Sequence, residues 1–282
     1  QRGEQSILFM NRRGYQSHIT CTSCSAVVKC PHCGIAMTYH SYNNRVVCNY
    51  CGYSIGYLSS CASCGGKRLL YSGVGTQKAE EELQRLFPGI RVCRMDADTV
   101  GGKYTREGIL NDFRDHKYDV LLGTQMITKG LDFPDVTLVG VLNADMSLYT
   151  SDFRAFEKTF SLLTQVVGRA GRAEKEGRAV VQTYSPAHYV LSYAFAQDYQ
   201  GFYREEMALR KSLLYPPYCD LCQFCFLAQT EAEAFRAAND FSERIRRATQ
   251  DDPSSFPVRL ILPKVTSVPL VGGKTRVRLL MK

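Results

Sequence analysis

The 282 residues contain no apolar run that approaches the ~20 residues a membrane-spanning helix needs, so no helical membrane anchor is expected within them. The opening stretch QRGEQSILFMNRRG has neither the apolar core of a signal peptide nor an initiating Met, and the chain reads as part of something longer. No GxxxxGK[ST] phosphate loop is present, and no acidic strand to hold a nucleotide's metal. The nearest candidate, VGGKT at 271–275, has Val268 where the first glycine belongs and lies in a hairpin pattern. Acidic residues are missing from one whole segment. From Gln5 to Ala79 there is no Asp or Glu, while Arg12, Arg13, Lys29, Arg45, Lys67, Arg68 and Lys78 supply seven positive charges. With a net charge of +8 for the chain, a polyanionic partner is favoured. Tyrosines 15, 39, 42, 50, 53, 57 and 71 are scattered through the same segment. Basic groups among aromatic rings suit single-stranded nucleic acid, although a tyrosine-rich domain with solvated lysines has the same composition.

Eight of the twelve cysteines fall between Cys21 and Cys64, as CTSC, CPHC, CNYC and CASC. Without a secretory signal, metal is the better reading than disulfides. Two intervening residues let both thiolates of one tight turn reach a tetrahedral ion, and two such turns complete a four-sulfur zinc site. The ligands are therefore Cys21, Cys24, Cys30, Cys33, Cys48, Cys51, Cys61 and Cys64, holding two Zn2+. Nested pairing is preferred: CPHC with CNYC inside, CTSC with CASC outside, because Cys24 and Cys30 are too close in sequence for two independent knuckles. Each four-thiolate zinc site carries about −2 net charge, which offsets about four of the seven positives. His18, His32 and His40 are read as surface residues. Cys219, Cys222 and Cys225 lie on an apolar strand pattern, where a spacing of three cannot converge sulfurs, and are expected to pack in a core. Cys93 is expected on a strand.

Around the cysteine module the pattern changes. QSILFM, LLYSGV, IRVCRM, YDVLLGT, VTLVGVL and RAVVQTY read as strands, and TQKAEEELQRLF, YTREGILNDFRDH and FEKTFSLLTQVVG as helices. Apolar strands alternating with helices imply an α/β parallel sheet covered on both faces, with ligands off the carboxyl ends of its strands. GTQMITKGLDFP and NADMS follow two of those ends. From Ser185 the pattern changes: AHYVLSYAFAQDYQGFYREEMALRKSLL, 187–214, reads as one long helix, followed by a strand, a helix and two short strands, an α+β domain. The division is 1–20 with 65–186, an insertion at 21–64, and 187–282.

QVVGRAGR, residues 165–172, presents Arg169 and Arg172 on a glycine-rich turn. A guanidinium pair matches phosphate oxygens, and with no phosphate loop in the sequence the nucleotide must be held elsewhere, as for an arginine finger. Taken alone, such a turn also caps helices and binds sulfate. With GTQMITKGLDFP at 123–134, however, the arrangement resembles motifs V and VI of the second RecA-like lobe of superfamily 2 helicases. The cysteine insertion, the preceding FMNRRGY, DFRAFEKTFSLLTQVVGRAGRA, YPPY and the ending RVRLLMK narrow the resemblance to the bacterial primosomal replication-restart helicases, over essentially the whole chain.

The resemblance implies an α/β RecA-like second lobe with an inserted double zinc-ribbon-type module and a C-terminal α+β domain. It implies that Arg169 and Arg172 meet the γ-phosphate of ATP with Mg2+, with Gln165, Gly130 and Asp132 in the nucleotide site. Thr124 and Gln125 would touch the DNA backbone, and Lys129 either DNA or the lobe interface. The whole would be an ATP-dependent 3′–5′ DNA helicase, cytoplasmic and nucleoid-associated. It would act on forked and single-stranded DNA with primosome proteins and single-strand-binding protein. Two other functions fit parts of the sequence: a non-catalytic zinc-dependent nucleic-acid-binding protein derived from a helicase, and a zinc scaffold that binds only protein. Lys274, Arg276 and Arg278 on the last hairpin fit a DNA patch or ordinary solvated strand charges, and the second reading is preferred.

Overall fold

The computed structural model describes residues 3–10, 18–32, 34–40, 44–48, 53–70, 76–96, 99, 105–124, 133–150, 152–168, 177–250, 260–265 and 275–282. The chain forms two compact units: Gln1–Gln16, Ser72–Tyr149 and Arg154–Tyr203 make the first, and Ser17–Tyr71, Thr150–Phe153 and Arg204–Lys282 the second. The cysteine-rich segment and the end of the chain thus share one unit, which Thr150–Phe153 also joins.

In the first unit β1 (Gln5–Met10) is the central strand of a five-stranded sheet. It lies between β8 (Val120–Gly123) and β9 (Val136–Leu142), with β7 (Val92–Met95) and β10 (Arg178–Val181) at the edges, and every pairing is parallel. Parallel strands covered on both faces carry apolar residues on both parities. Val120, Leu121 and Leu122 are accordingly all buried, as are Ile7, Phe9 and Met10. The register sets Leu8 opposite Gly140, where an added Cβ would stand 2.6 Å from the Leu8 Cδ2 atom. Gly140→Ala should therefore cost about 1–3 kcal/mol through overpacking, read as a lower urea midpoint at unchanged slope.

Helix α1 (Thr76–Leu86) is held at its start by Thr76, whose hydroxyl donates to buried Asp96 at 2.6 Å, and it stops before Pro88 and Gly89, the latter at φ 87°. Helix α2 (Arg106–Arg114) is capped by Thr105 Oγ1, which accepts from the Gly108 amide. Cys93 is buried on β7, and burial pushes its thiol up to about 11. After β9 come a one-turn helix α3 (Asp145–Leu148) and α4 (Ala155–Val167), which buries Phe160, Leu162, Leu163 and Val166.

The single helix expected after Ser185 is two. Helix α5 (Tyr189–Ala196) ends at Gln197 in the left-handed region, φ 53°, and Asp198 Oδ1 accepts from the Gly201 amide as α6 (Tyr199–Leu213) begins. A side-chain cap met by a left-handed residue outweighs the continuous apolar periodicity. Of LLYSGV, Leu69–Leu70 form β6, antiparallel to β2 (Thr20–Cys21), and residues 71–75 lie outside the described set.

The second unit holds the antiparallel sheet β3 (Thr38–His40), β4 (Arg45–Val47) and β5 (Ser54–Gly56), and the sheet of β11 (Cys222–Ala228), β13 (Thr275–Met281) and β12 (Leu260–Val265). Helix α7 (Glu231–Gln250) covers the latter, with Ala234 and Ala238 packed on Val277 and Phe241 on Phe224 and Phe226. Cys222 and Cys225 are exposed, not core. β11 is an edge strand whose Phe224 and Phe226 turn to α7, so Cys225 faces away and Cys222 stands at the strand's first residue. Arg276 and Arg278 are half-buried instead of solvated, because β13 is the central strand of its sheet; Lys274 lies outside the described residues.

Candidate metal centre and the two edges of the parallel sheet

Four tight turns repeat one hydrogen-bond pattern. The amide of the first cysteine donates to the carbonyl five residues on: Cys21 to Ala26, Cys30 to Ile35, Cys48 to Tyr53 and Cys61 to Gly66, at 2.7–2.9 Å. In three turns the residue after the second cysteine donates back to the first: Ser25 to Cys21, Gly34 to Cys30 and Gly65 to Cys61. Those three residues have φ of 60°, 66° and 70°, which is the physical reason for glycine at two of them. In the two outer turns amides point at sulfur: those of Ser23 and Cys24 at Cys21, those of Ser63 and Cys64 at Cys61, and that of Gly66 at Cys64.

The outer turns meet. The sulfurs of Cys21, Cys24, Cys61 and Cys64 all lie within 4.8 Å of one another, with Cys21–Cys64 and Cys24–Cys61 each at 3.7 Å. Two thiolates at about 2.3 Å from a tetrahedral ion sit about 3.8 Å apart, so the cluster fits zinc without rearrangement. This is the outer half of the nested pairing. Electrostatics in the cluster point the same way. The backbone amides of Cys24 and Ser23 hold the Cys21 thiol down to about 6, and those of Cys64 and Ser63 lower Cys61. Against the Gly66 amide, which pulls it down, the sulfurs of Cys24 and Cys21 push the Cys64 thiol up to about 12. Four sulfurs this close cannot all ionise unless a cation stands among them.

Of the inner set, Cys30 and Cys48 are buried in one core with Ile19, Ile35, Met37, Val46 and Tyr215. Cys33 and Cys51 lie outside the described residues. Of the three histidines, His32 is exposed, His18 is half-buried, and the side chain of His40 is not described.

In the parallel sheet, Thr124 stands just past β8 at the carboxyl edge, its amide donating to the Met95 carbonyl. Gln165 is exposed on the last turn of α4, and the Gly168 amide closes that helix on Thr164. Gln125, Lys129, Gly130, Asp132, Arg169 and Arg172 lie outside the described residues. Thr124 and the C-terminal end of α4 lie toward opposite edges of the sheet. β10 runs parallel to β9, with Arg178 opposite Leu138, so α4 must carry the chain back toward the amino edge. Phe133 also lies before β9, packed edge-on against Phe113, whose carbonyl accepts from Gln5 at the start of β1.

Asp145, within NADMS, is a residue that motif reading passes over. It is fully buried at the end of β9, and its Oδ2 accepts from the Tyr184 amide at 2.9 Å, tying the exit of β9 to that of β10. Its Oδ1, with Asn143 Oδ1 and Ser147 Oγ, is buried without a hydrogen-bond partner. The visible signal is a run of polar residues at the end of an apolar strand.

A parallel-sheet lobe carrying a cysteine-rich zinc-ribbon insertion defines the class. Residues 57–174 match the helicase conserved C-terminal domain, and residues 30–55 the PriA DNA helicase Cys-rich region domain. Replication restart protein PriA of Bacillus subtilis (strain 168) is 46% identical over 265 residues, 92% of this chain and 33% of that protein. PriA of Chlamydia pneumoniae is 43% identical over 86% of the chain and 33% of its own length, and PriA of Haemophilus influenzae 42% identical over 83% and 31%. The chain belongs to the PriA family of superfamily 2 helicases. It spans about a third of the length of these curated relatives. No helix among the described residues is long and apolar enough to cross a membrane.

Proposed function

We propose that the chain is the nucleotide-closing, DNA-tracking half of an ATP-dependent 3′–5′ DNA helicase that restarts replication at stalled forks. The observation that carries this reading is the match of residues 57–174 to the helicase conserved C-terminal domain, laid on a parallel sheet with Thr124 just past β8 at the carboxyl edge and Gln165 on the last turn of α4. Thr124, Gln125 and Lys129 would engage the DNA backbone. Gly130, Asp132, Gln165, Arg169 and Arg172 would close on ATP, whose Mg2+ and phosphates a first lobe elsewhere in the protein would hold.

Arg169 and Arg172 then stabilise the charge that develops on the transferring phosphoryl group once the lobes meet. Hydrolysis releases them and the lobes part, advancing the protein along one strand. Two zinc ions, one in each four-cysteine set, keep the cysteine-rich segment folded as a surface for forked DNA. Primosome proteins and single-strand-binding protein are the partners, and the compartment is the bacterial cytoplasm at the nucleoid.

The test is a pair of ATPase assays with forked DNA. The isolated chain should show no turnover above background, because half a site cannot hold Mg2+ and phosphates, while the full-length protein should be strongly DNA-stimulated. Turnover by the isolated chain refutes the division of labour. DNA binding by a full-length protein that never hydrolyses ATP favours a non-catalytic zinc-dependent binding protein.

A further inference from the structure

The two outer turns of the cysteine-rich region are held against each other by backbone as well as by sulfur. Strand β2 pairs with β6, setting Cys21 opposite Leu69, and just beyond it the Thr22 amide and hydroxyl both donate to the Arg68 carbonyl. The four sulfurs do not meet solvent equally. Cys21 and Cys61 are buried, at 0% and 7% exposure, whereas Cys24 and Cys64 are exposed. Each buried sulfur lies 3.7 Å from an exposed one on the other turn, Cys61 from Cys24 and Cys21 from Cys64. The two exposed sulfurs also differ. The Gly66 amide donates to Cys64 at 3.4 Å, and Gly66 lies so near that an added Cβ would stand 3.2 Å from that sulfur. Among the described residues no amide donates to the sulfur of Cys24, whose neighbour is Cys61. The sequence around these turns carries no Asp or Glu from Gln5 to Ala79, and Lys67 and Arg68 follow CASC closely.

We infer that Cys24 is an oxidation site of this protein, attacked by hydrogen peroxide and closed by Cys61 into a disulfide between the two outer turns, with loss of the outer zinc. The inference rests on the reading of the outer set as a zinc site. In the first step the Cys24 thiolate attacks one peroxide oxygen: an S–O bond forms, the O–O bond breaks, and the released hydroxide takes a proton to become water. In the second the Cys61 thiolate attacks the Cys24 sulfur: the S–S bond forms, the S–O bond breaks, and the departing hydroxide takes a second proton. Two thiolates have then lost two electrons, and one peroxide with two protons has become two waters. Exposure and a surround of positive charge without carboxylates single out Cys24, because reactive cysteines share those features. Cys61 stands ready as the resolving thiolate. The backbone pairing of β2 with β6 keeps the turns together while the sulfurs draw in to the bond length of about 2.0 Å. Oxidation leaves Cys21 and Cys64, two ligands where a structural zinc site takes four. The disulfide then replaces the metal as the link between the turns, and a thiol reductant supplied with zinc reverses the change.

The experiment treats the full-length, zinc-loaded protein with hydrogen peroxide. Free thiols are alkylated at intervals, disulfide-linked peptides are mapped by mass, and released zinc is measured with a chromogenic chelator. A Cys24–Cys61 peptide should appear in step with zinc release, and dithiothreitol with added zinc should reverse both. Cys24→His and Cys64→His each keep four ligand atoms, since zinc also binds sets of three cysteines and one histidine. Release should slow about tenfold in Cys24→His, which lacks the exposed thiolate. In Cys64→His it should keep the wild-type rate and still yield the Cys24–Cys61 bond. Zinc release from the wild type without that bond overturns the inference. So do sulfurs that stay reduced under peroxide, or a slowing confined to Cys64→His. If a histidine variant is isolated without its zinc, the wild-type peptide map decides alone. A wild-type zinc content that Cys21→Ser leaves unchanged removes the outer zinc site instead, and the mapped bond then tests the oxidation site by itself.

Discussion

Arg169→Ala in the full-length protein is expected to lower DNA-stimulated ATP turnover by about 10³-fold or more, with DNA affinity at fixed salt nearly unchanged. A planar guanidinium can take two oxygens of a transferring phosphoryl group and carries its charge at every working pH. Its effect appears only when charge builds up on that group, so removal should depress kcat and leave ground-state binding of DNA alone. Arg169→Lys keeps the charge without the fork and should recover little. The competing account is local. Arg169 follows α4 directly, and a cation at a helix C-terminus is worth about 0.3–1 kcal/mol against the dipole. Under that account the alanine variant melts slightly earlier and turns ATP over normally. Steady-state turnover at saturating forked DNA, paired with a thermal melt, separates the two: normal kcat with a small fall in Tm would defeat the arginine-finger assignment. The zinc content should not change in either case, because Arg169 belongs to the first compact unit and the cysteines to the second.

What the sequence makes legible here is what local spacing determines. QSILFM must be a buried strand, and a parallel sheet follows once apolar strands are seen to alternate with helices, while its central place in that sheet comes from the strand order alone. CxxC pairs must be tight turns, and too few residues separate Cys24 from Cys30 for a sequential pairing, so the outer pairs close on each other. The features that escape depend on distant partners. Nothing local to Cys222 and Cys225 announces that β11 is an edge strand with only one covered face. Arg276 and Arg278 alternate like solvated charges, yet the strand that bears them is sandwiched between two others. The break at Gln197 is local but weak, a Gln-Asp pair within a long apolar periodicity, and only the Asp198 cap reveals it. The separation of the Thr124 and Gln165 ends is topological, since it requires knowing that β10 pairs in parallel with β9.

Stripping zinc should unfold the cysteine-rich region outright and leave the parallel sheet standing. Structural zinc binding contributes about 10–16 kcal/mol of apparent free energy in small peptides, as large as the ~5–15 kcal/mol net stability of a whole domain. The region's own core is small, and Cys30 and Cys48 are part of it, so the metal and the packing fail together. Two zinc ions per chain are expected on metal analysis. Cys21→Ser should lose the outer ion, whose four sulfurs the geometry already assembles. Cys48→Ser should cost more, because Cys48 is fully buried beside Tyr215 and its loss opens the core as well as the site. Amide hydrogen exchange gives the location: protection should disappear at β3, β4 and β5 on chelation and persist at β1 and β8, whose buried partners are Phe9, Leu121 and Leu122. Acid should act in the same direction as the chelator, since protons compete with the ion for every thiolate and binding weakens as pH falls. A single ion per chain, an iron absorption band, or a Cys48→Ser variant that keeps β3–β5 protected after chelation would each break the two-zinc reading. The last would also show that the core around Tyr215, not the metal, holds that region together.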